Sequence, residues 1–114
     1  MKHYDTMFIV KPTLTEEERT ARFEFIKETI VNNGGEIVVE DKDVARELAY
    51  KIDKFDRGYY NTLYFKAPAE SILELERIYR INEDIIRFIV VKYDKKKDIR
   101  TWNKLVENAQ NNKK

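Results

Sequence analysis

The sequence contains no cysteine, and among its 114 residues it has only three glycines, two prolines and one histidine. Without cysteine, disulfide bonds and thiolate metal sites are excluded. The glycines, Gly34, Gly35 and Gly58, match no phosphate-binding spacing. One histidine, one serine and no thiol do not supply a nucleophilic triad. We therefore expect a protein that is not an enzyme and that uses no cofactor.

Metal-binding patterns and long apolar runs are also missing. The acids at 41 and 43 resemble the start of a calcium loop, but Arg46 replaces its central glycine and Ile52 its closing glutamate, so no metal is expected. The longest uncharged apolar runs, residues 7–10 and 88–91, have four residues, whereas a membrane helix needs about 20. The sequence predicts neither a signal peptide nor a membrane span, and cysteine-free composition fits the cytoplasm.

Charge is distributed unevenly along the chain. Residues 1–91 hold 14 Lys or Arg against 18 Asp or Glu, whereas residues 92–114 hold 8 against 3. A protein that coats nucleic acid non-specifically needs a basic face that releases counterions. Because the first part of the chain is acidic, any contact with RNA should be local.

Hydrophobic periodicity predicts the element order β-α-β-β-α-β. Strands are predicted at 4–11, at 37–52 as one long or bulged strand, at 59–65 and at 85–92, with a polar turn at 53–58. Thr15 and Glu18 form a capping-box pattern for a first helix that ends at Gly34, and a second helix starts at Pro68. This order is typical of an α+β ferredoxin-like sandwich, in which a four-stranded antiparallel sheet carries two helices on one face.

The domain is predicted to span residues 1–93, followed by a basic tail at 94–114 that we expect to be mobile. An alternative for the tail is one short amphipathic helix, ordered on binding, with its apolar side formed by Ile99, Trp102, Leu105 and Val106.

Strand alternation predicts which side chains occupy the sheet face that the two helices leave open. The apolar members of this outward set are Met7, Ile9, Tyr60, Tyr64, Ile89 and Val91. A contiguous apolar patch of this kind, with charges around it, is typical of a protein-binding face. The alternative is that the tail or a loop folds back over it. Asn61 has inward parity and fits this pattern poorly.

Basic and aromatic side chains alternate around the second strand, where Arg46, Lys51, Lys54 and Arg57 accompany Tyr50. Such a mixture suits phosphate contacts and stacking on irregular RNA. An equally open interpretation is a solvated hairpin whose cations are balanced by neighbouring acids. The third strand begins like an RNA-recognition motif, but its middle positions do not form the usual base-stacking pair.

Several segments together resemble a known family. The matching residues are Tyr4-Asp5, Lys11-Pro12, Arg46, Leu48-Ala49-Tyr50, Ile52, Lys54, Gly58-Tyr59, Arg80, Asn82, Ile85, Arg87 and Ile89-Val90-Val91-Lys92. Over residues 1–92 the chain resembles the sixth protein of the bacterial small ribosomal subunit. It departs from the family pattern at two positions. Glu47 stands where many members have a basic residue, and Lys51 stands where many have proline.

The resemblance implies a structural, cytoplasmic ribosomal protein that binds the central domain of small-subunit ribosomal RNA together with the subunit's eighteenth protein. The residues it implies for RNA contact are Lys2, Arg46, Tyr50, Lys54, Arg87 and Lys92. The apolar open face and the edge of the second strand are the candidates for the protein partner. A different class stays open, because the same fold also serves as a small-ligand sensor or a homodimeric interaction domain.

Overall fold

The fold was analysed in a computed structural model that describes residues 1–52 and 54–111. Asp53 of the predicted turn and residues 112–114 of the predicted tail lie outside the described residues. The elements are β1 (Lys2–Val10), α1 (Glu16–Asn32), β2 (Glu36–Ile52), β3 (Phe55–Ala67), α2 (Ser71–Ile81), β4 (Ile85–Tyr93) and α3 (Lys96–Asn111). No helix in this part of the chain is both long enough and apolar enough to span a membrane.

The four strands form one antiparallel sheet in the order β2-β3-β1-β4. In the centre, β1 pairs with β3 through Thr6 and Leu63 and with β4 through Thr6 and Val90. The connections through α1 and α2 cross over the same face. The predicted ferredoxin-like sandwich is therefore confirmed.

The main core lies between the sheet and α1 with α2. Phe23, Ile26 and Ile30 of α1 form the buried stripe that their spacing predicts. From α2, Tyr79 is 1% exposed, and its hydroxyl is 2.8 Å from the Thr6 hydroxyl, so its polar atom is satisfied inside the core. Because α1 and α2 cover this face of the sheet, the opposite face remains for other contacts.

The predicted start and end of α1 are confirmed in detail. The Glu18 amide donates to the Thr15 hydroxyl at 3.2 Å, and the Thr15 amide donates to the Glu18 carboxylate at 2.9 Å. At the other end Gly34 has φ +89°, the left-handed conformation that glycine adopts without strain.

The β2-β3 hairpin differs from the sequence prediction. Residues 55–58 were predicted as part of a turn, yet β3 begins at Phe55, which pairs with Ile52. The polar composition suggested a turn because this part of the hairpin extends past the end of β1 and has no core to face. The prediction that β2 is long and bulged is confirmed by its 17 residues and three register shifts.

The third helix, α3, corrects the expectation of a mobile tail. Residues 96–111 form the amphipathic helix that was the alternative, and this helix packs on the sheet face opposite α1 and α2. Trp102 is 2% exposed, and its indole N–H donates to the Tyr4 carbonyl at 2.8 Å. Burial of one large aromatic ring and its polar atom holds the helix to the sheet. The domain boundary at residue 93 stays a prediction.

Candidate nucleic-acid and protein interface

The protruding part of the β2-β3 hairpin, residues 46–52 and 54–58, carries three of the predicted RNA-contact residues, Arg46, Tyr50 and Lys54. Val10, the last residue of β1, pairs with Tyr59, so these residues extend beyond the sheet centre. Tyr50 reaches β4, where the Arg87 guanidinium donates to its hydroxyl and lies 5.6 Å from its ring centroid. The Arg46 guanidinium lies 5.7 Å from the Tyr60 ring centroid. We call residues 46–52 and 54–58, together with Arg87, the hairpin site.

The hairpin site presents charge and aromatic surface to the solvent. Arg46, Tyr50, Lys54 and Arg87 are all exposed, and Tyr50 keeps 60% of its accessible surface. Lys54 lies in the hairpin turn with φ 72°, a left-handed conformation that is unusual for a residue with a Cβ. Guanidinium groups held against aromatic rings are suited to phosphates and unstacked bases. The exposed cations and rings are thus of the kind that the RNA-contact prediction requires.

The other two predicted RNA-contact residues, Lys2 and Lys92, lie at the opposite end of the sheet. Lys2 opens β1, roughly 24 Å along the strand from the position that pairs with Arg87. Both ammonium groups share one carboxylate, because the Lys2 and Lys92 nitrogens lie 3.2 Å and 3.9 Å from Asp94. The hydrogen bond from Lys2 lowers the pKa of Asp94. The structure therefore divides the predicted set between two ends.

A polar cluster under β2 lies beside the hairpin site. Asn61 is 4% exposed; its side-chain oxygen accepts from the Asp43 amide at 2.9 Å, and its side-chain nitrogen donates to the Tyr59 carbonyl at 3.2 Å. Arg19 binds both carboxylate oxygens of Asp43, at 2.7 and 3.2 Å, and its guanidinium lies 3.8 Å from the Tyr59 ring centroid. Asp43 has φ 63° and lies within a register shift, so the cluster holds β2 in a bulge.

Sequence reasoning missed this cluster. Its members come from three separate parts of the chain. The one sign of the cluster in the sequence is Asn61, a polar residue at a strand position that faces the core. A buried amide at a core position is a signal that a backbone group elsewhere needs a partner.

The residues predicted to form the partner face lie on the side of the sheet that faces away from α1 and α2. Register places Met7 between Thr62 and Ile89, and Ile9 between Tyr60 and Arg87. Ile89 is 50% exposed, whereas Met7, Tyr60 and Val91 are half-buried.

Ile9 is only 3% exposed, and one of its methyl groups lies in the space that a side chain at Gly58 would occupy. A Cβ at Gly58 would lie 2.5 Å from the Ile9 methyl group. The absence of a side chain at this position therefore lets Ile9 lie against the β3 backbone, at the end of the partner face nearest the hairpin site.

α3 covers one end of the same face, so the alternative of a folded-back tail holds there. Trp102 and Val106 pack against Val39 and Tyr64. His3 meets the Trp102 ring edge-on at 4.7 Å, and burial together with the nearby Lys66 lowers the pKa of His3. The end that includes Ile89 and Tyr60 stays accessible.

The buried polar groups beside α3 are paired. The Tyr93 hydroxyl donates to the Asp5 carboxylate at 2.6 Å. Burial raises the pKa of the Asp5 carboxyl, and this hydrogen bond opposes the shift. Burial also raises the pKa of Tyr93 and of Tyr64, and the charge of Asp5 adds to both shifts.

The partner face offers little room for a small ligand. Its pocket measures about 190 Å³ and is lined by Met7, Asp41, Val44, Arg46, Tyr60 and Thr62, whereas ligand sites commonly enclose about 300–1,000 Å³. No group of three metal-binding side chains occurs in residues 1–52 and 54–111. A broad, shallow surface of this kind suits a macromolecule.

Comparisons with known proteins point to one family. The model of the family described as ribosomal protein S6 matches residues 3–92. The small ribosomal subunit protein bS6 of a Nitratiruptor species is 60% identical over 110 residues, 96% of this chain and 86% of that protein. The bS6 protein of Campylobacter lari is 53% identical over 114 residues, covering 100% and 92% of the two chains.

A solved structure supports the same relationship. The crystal structure of the 30S ribosomal protein S6 from Thermotoga maritima superposes with a TM-score of 0.81 at 31% sequence identity. The superposition covers 93% of this chain and 97% of that one. The likeness therefore includes nearly the whole described fold.

Proposed function

Since the chain belongs to the ribosomal protein S6 family, we propose that it binds the central domain of small-subunit ribosomal RNA together with the subunit's eighteenth protein. Membership makes the chain a structural, non-enzymatic protein of the small ribosomal subunit, located in the cytoplasm. Its specific RNA region and its protein partner are the proposed part.

The observation that carries the RNA assignment is the pairing of cations with aromatic rings at the hairpin site. Arg87 is held against Tyr50, and Arg46 lies beside Tyr60, although these residues come from three different strands. Side chains fixed in this way lose less conformational entropy on binding than free ones do. The hairpin site is therefore prepared to contact phosphates and bases.

The protein partner is assigned to the accessible part of the open face. Ile89 leaves half of its surface exposed, and Tyr60 adjoins Arg46 of the hairpin site. The two contacts are thus neighbours, and a protein bound on the face would also border the RNA. Joint binding lets a chain with net charge +1 select an RNA site, because its cations need supply only part of the binding energy.

The test is a salt-titrated measurement of binding to a central-domain ribosomal RNA fragment, with and without the eighteenth protein. We expect Arg46→Ala combined with Lys54→Ala to lower the slope of log K against log salt by about 1.4–1.8 and to weaken binding at least tenfold. The matched control is Arg77→Ala with Arg80→Ala, which removes two exposed cations from α2. Unchanged RNA affinity in the first variant, with wild-type stability, contradicts the assignment.

A further inference from the structure

The outward side of α3 carries a row of cations that neither the fold nor the family resemblance explains. Its members are Lys96, Lys97, Arg100 and Lys104, and all four are exposed. With about 100° per residue, they fall within about 100° of one another around the helix axis. The side that contains Trp102 and Val106 packs on the sheet. We call the four residues the α3 row.

The α3 row is unfavourable for the helix itself. Lys96, Arg100 and Lys104 follow one another at i,i+4 spacing, where like charges repel. Lys96 and Lys97 also lie in the first turn, where the helix dipole disfavours positive charge. Glu107 follows one turn beyond Lys104, and no carboxylate of the described residues lies within 4.0 Å of any of the four cations.

On each of the other two helices, a cation forms an ion pair with a glutamate of the same helix. In α1 the Lys27 ammonium lies 3.7 Å from Glu24, and in α2 the Arg77 guanidinium lies 2.6 Å from Glu74. Those pairs have the spacing that stabilises a helix. Among the described residues, the cations of the α3 row therefore lack the carboxylate partners that Lys27 and Arg77 have, and their positive charge is available to an anion from outside the chain.

The row is held in a fixed position. Because Trp102 anchors α3 to Tyr4, the cations keep their places relative to the sheet. From Lys96 to Lys104 the row extends roughly 12 Å along the helix. The first turn of α3 follows directly after Lys92 and Asp94, so it continues the basic end of the sheet.

We propose that the α3 row is a second RNA-binding surface, which holds the sugar-phosphate backbone of a segment distinct from the one at the hairpin site. This inference rests on the proposed function, because the anion favoured is the RNA that surrounds a ribosomal protein. The two surfaces lie near opposite ends of the sheet, so the protein bridges two stretches of RNA. Lysines and arginines on a helix face contact phosphates without reading sequence.

The test compares two variants that each remove two cations from one exposed helix face. Arg100→Gln with Lys104→Gln alters the α3 row, and Arg77→Gln with Arg80→Gln is the matched control on α2. In the presence of the eighteenth protein, we expect the α3 variant to bind the RNA fragment about tenfold more weakly, with the salt slope lowered by about 1.4–1.8. The control should keep the wild-type slope.

Thermal unfolding separates binding from folding. Because the substitution relieves repulsion within α3, the variant should melt at the wild-type temperature or slightly higher while its RNA affinity falls. A wild-type salt slope in the α3 variant, while the hairpin variant loses affinity, overturns the α3 assignment and leaves the proposed function standing.

Two further outcomes are informative. Loss of binding to the eighteenth protein alone, in the absence of RNA, assigns the row to a protein contact and overturns the RNA assignment. Failure of the wild-type protein to bind RNA in either condition overturns both proposals.

Discussion

Asn61 binds two backbone groups at the bulge of β2 from a buried position. Strand alternation predicts that this amide lies in the core, but it does not predict its partners. The Asp43 amide that it accepts from lies 18 residues away in sequence and becomes accessible only because β2 bulges there. A local pattern carries no information about such a distant backbone group. The same limit applies to Arg19, whose partner is 24 residues away.

Burial of the charged Asp5 carboxylate lowers the stability of the folded protein. Its folded pKa is raised by burial, so the folded state binds a proton more readily than the unfolded state does. Stability is then greatest below the unfolded pKa and is lost as pH rises through the folded pKa. We predict that Asp5→Asn raises the melting temperature at pH 7 and that the gain disappears near pH 3. An amide oxygen can still accept from Tyr93. A gain that persists unchanged in acid would contradict this origin.

Asp84 should behave in the opposite way. Its oxygens lie 2.7 Å from Arg22 and 3.0 Å from Lys11, and these two cations lower its pKa, with Arg22 contributing most. Stability from this group is present above the unfolded pKa and is lost as pH falls through the folded pKa.

We predict that Asp84→Asn destabilises the protein by about 1 kcal/mol at pH 7, because both partners are partly exposed, and that the loss vanishes near pH 2. The measurement is the free energy of unfolding in denaturant across this pH range, with Asp5→Asn as the control of opposite sign. The explanation would be refuted if both variants changed this free energy in the same direction relative to wild type.

Among the elements, α3 is one whose helical form follows from its hydrophobic periodicity, whereas its position on the sheet does not. The spacing of Ile99, Trp102, Leu105 and Val106 indicated an amphipathic helix, and that helix exists. Its docking position could not be predicted, because the site combines Val39, Tyr64 and the Tyr4 carbonyl from three strands. The basic composition of the segment favours a mobile tail, whereas burial of Trp102 and Val106 against the sheet holds the helix in place.

The anchoring of α3 can be tested at Trp102. We predict that Trp102→Ala costs about 3 kcal/mol of stability, because it empties a buried site and removes the hydrogen bond to Tyr4. Trp102→Phe should recover most of the packing and lose about 1 kcal/mol for the hydrogen bond. Leu73→Ala, at a position 73% exposed on α2, is the control and should change stability little. Equal stabilities of Trp102→Ala and wild type in urea unfolding would show that α3 does not contribute to the fold.

On the scale of the whole molecule, the two interpretations that the sequence left open differ in what binds to the open face of the sheet. A heteromeric assembly protein uses the face for a different chain, whereas a sensor or homodimer uses it for a second copy. The side chains on this face were predictable from strand alternation, and the antiparallel sheet from the element order β-α-β-β-α-β. Its division into a part covered by α3 and an accessible part was not, because the covering helix lies outside the repeated β-α-β pattern.

Ile89→Asp distinguishes these interpretations. We predict that it leaves the free energy of unfolding within about 1 kcal/mol of wild type, because the side chain is half exposed, and that it weakens binding of the eighteenth protein at least tenfold. Sedimentation of wild type and variant provides the second measurement. A wild-type dimer that dissociates in the variant would favour the homodimer, and normal pairing with the eighteenth protein would refute the proposed face.

The bulged form of β2 also affects how the protein behaves before it meets any partner. β2 is an edge strand, and a long flat edge is a template on which another chain can add a strand and start aggregation. Three register shifts, the left-handed Asp43 and exposed charges such as Lys42 and Glu47 interrupt that template. The bulged form of β2 therefore also makes this edge a poor template for edge-to-edge aggregation of the newly synthesised chain.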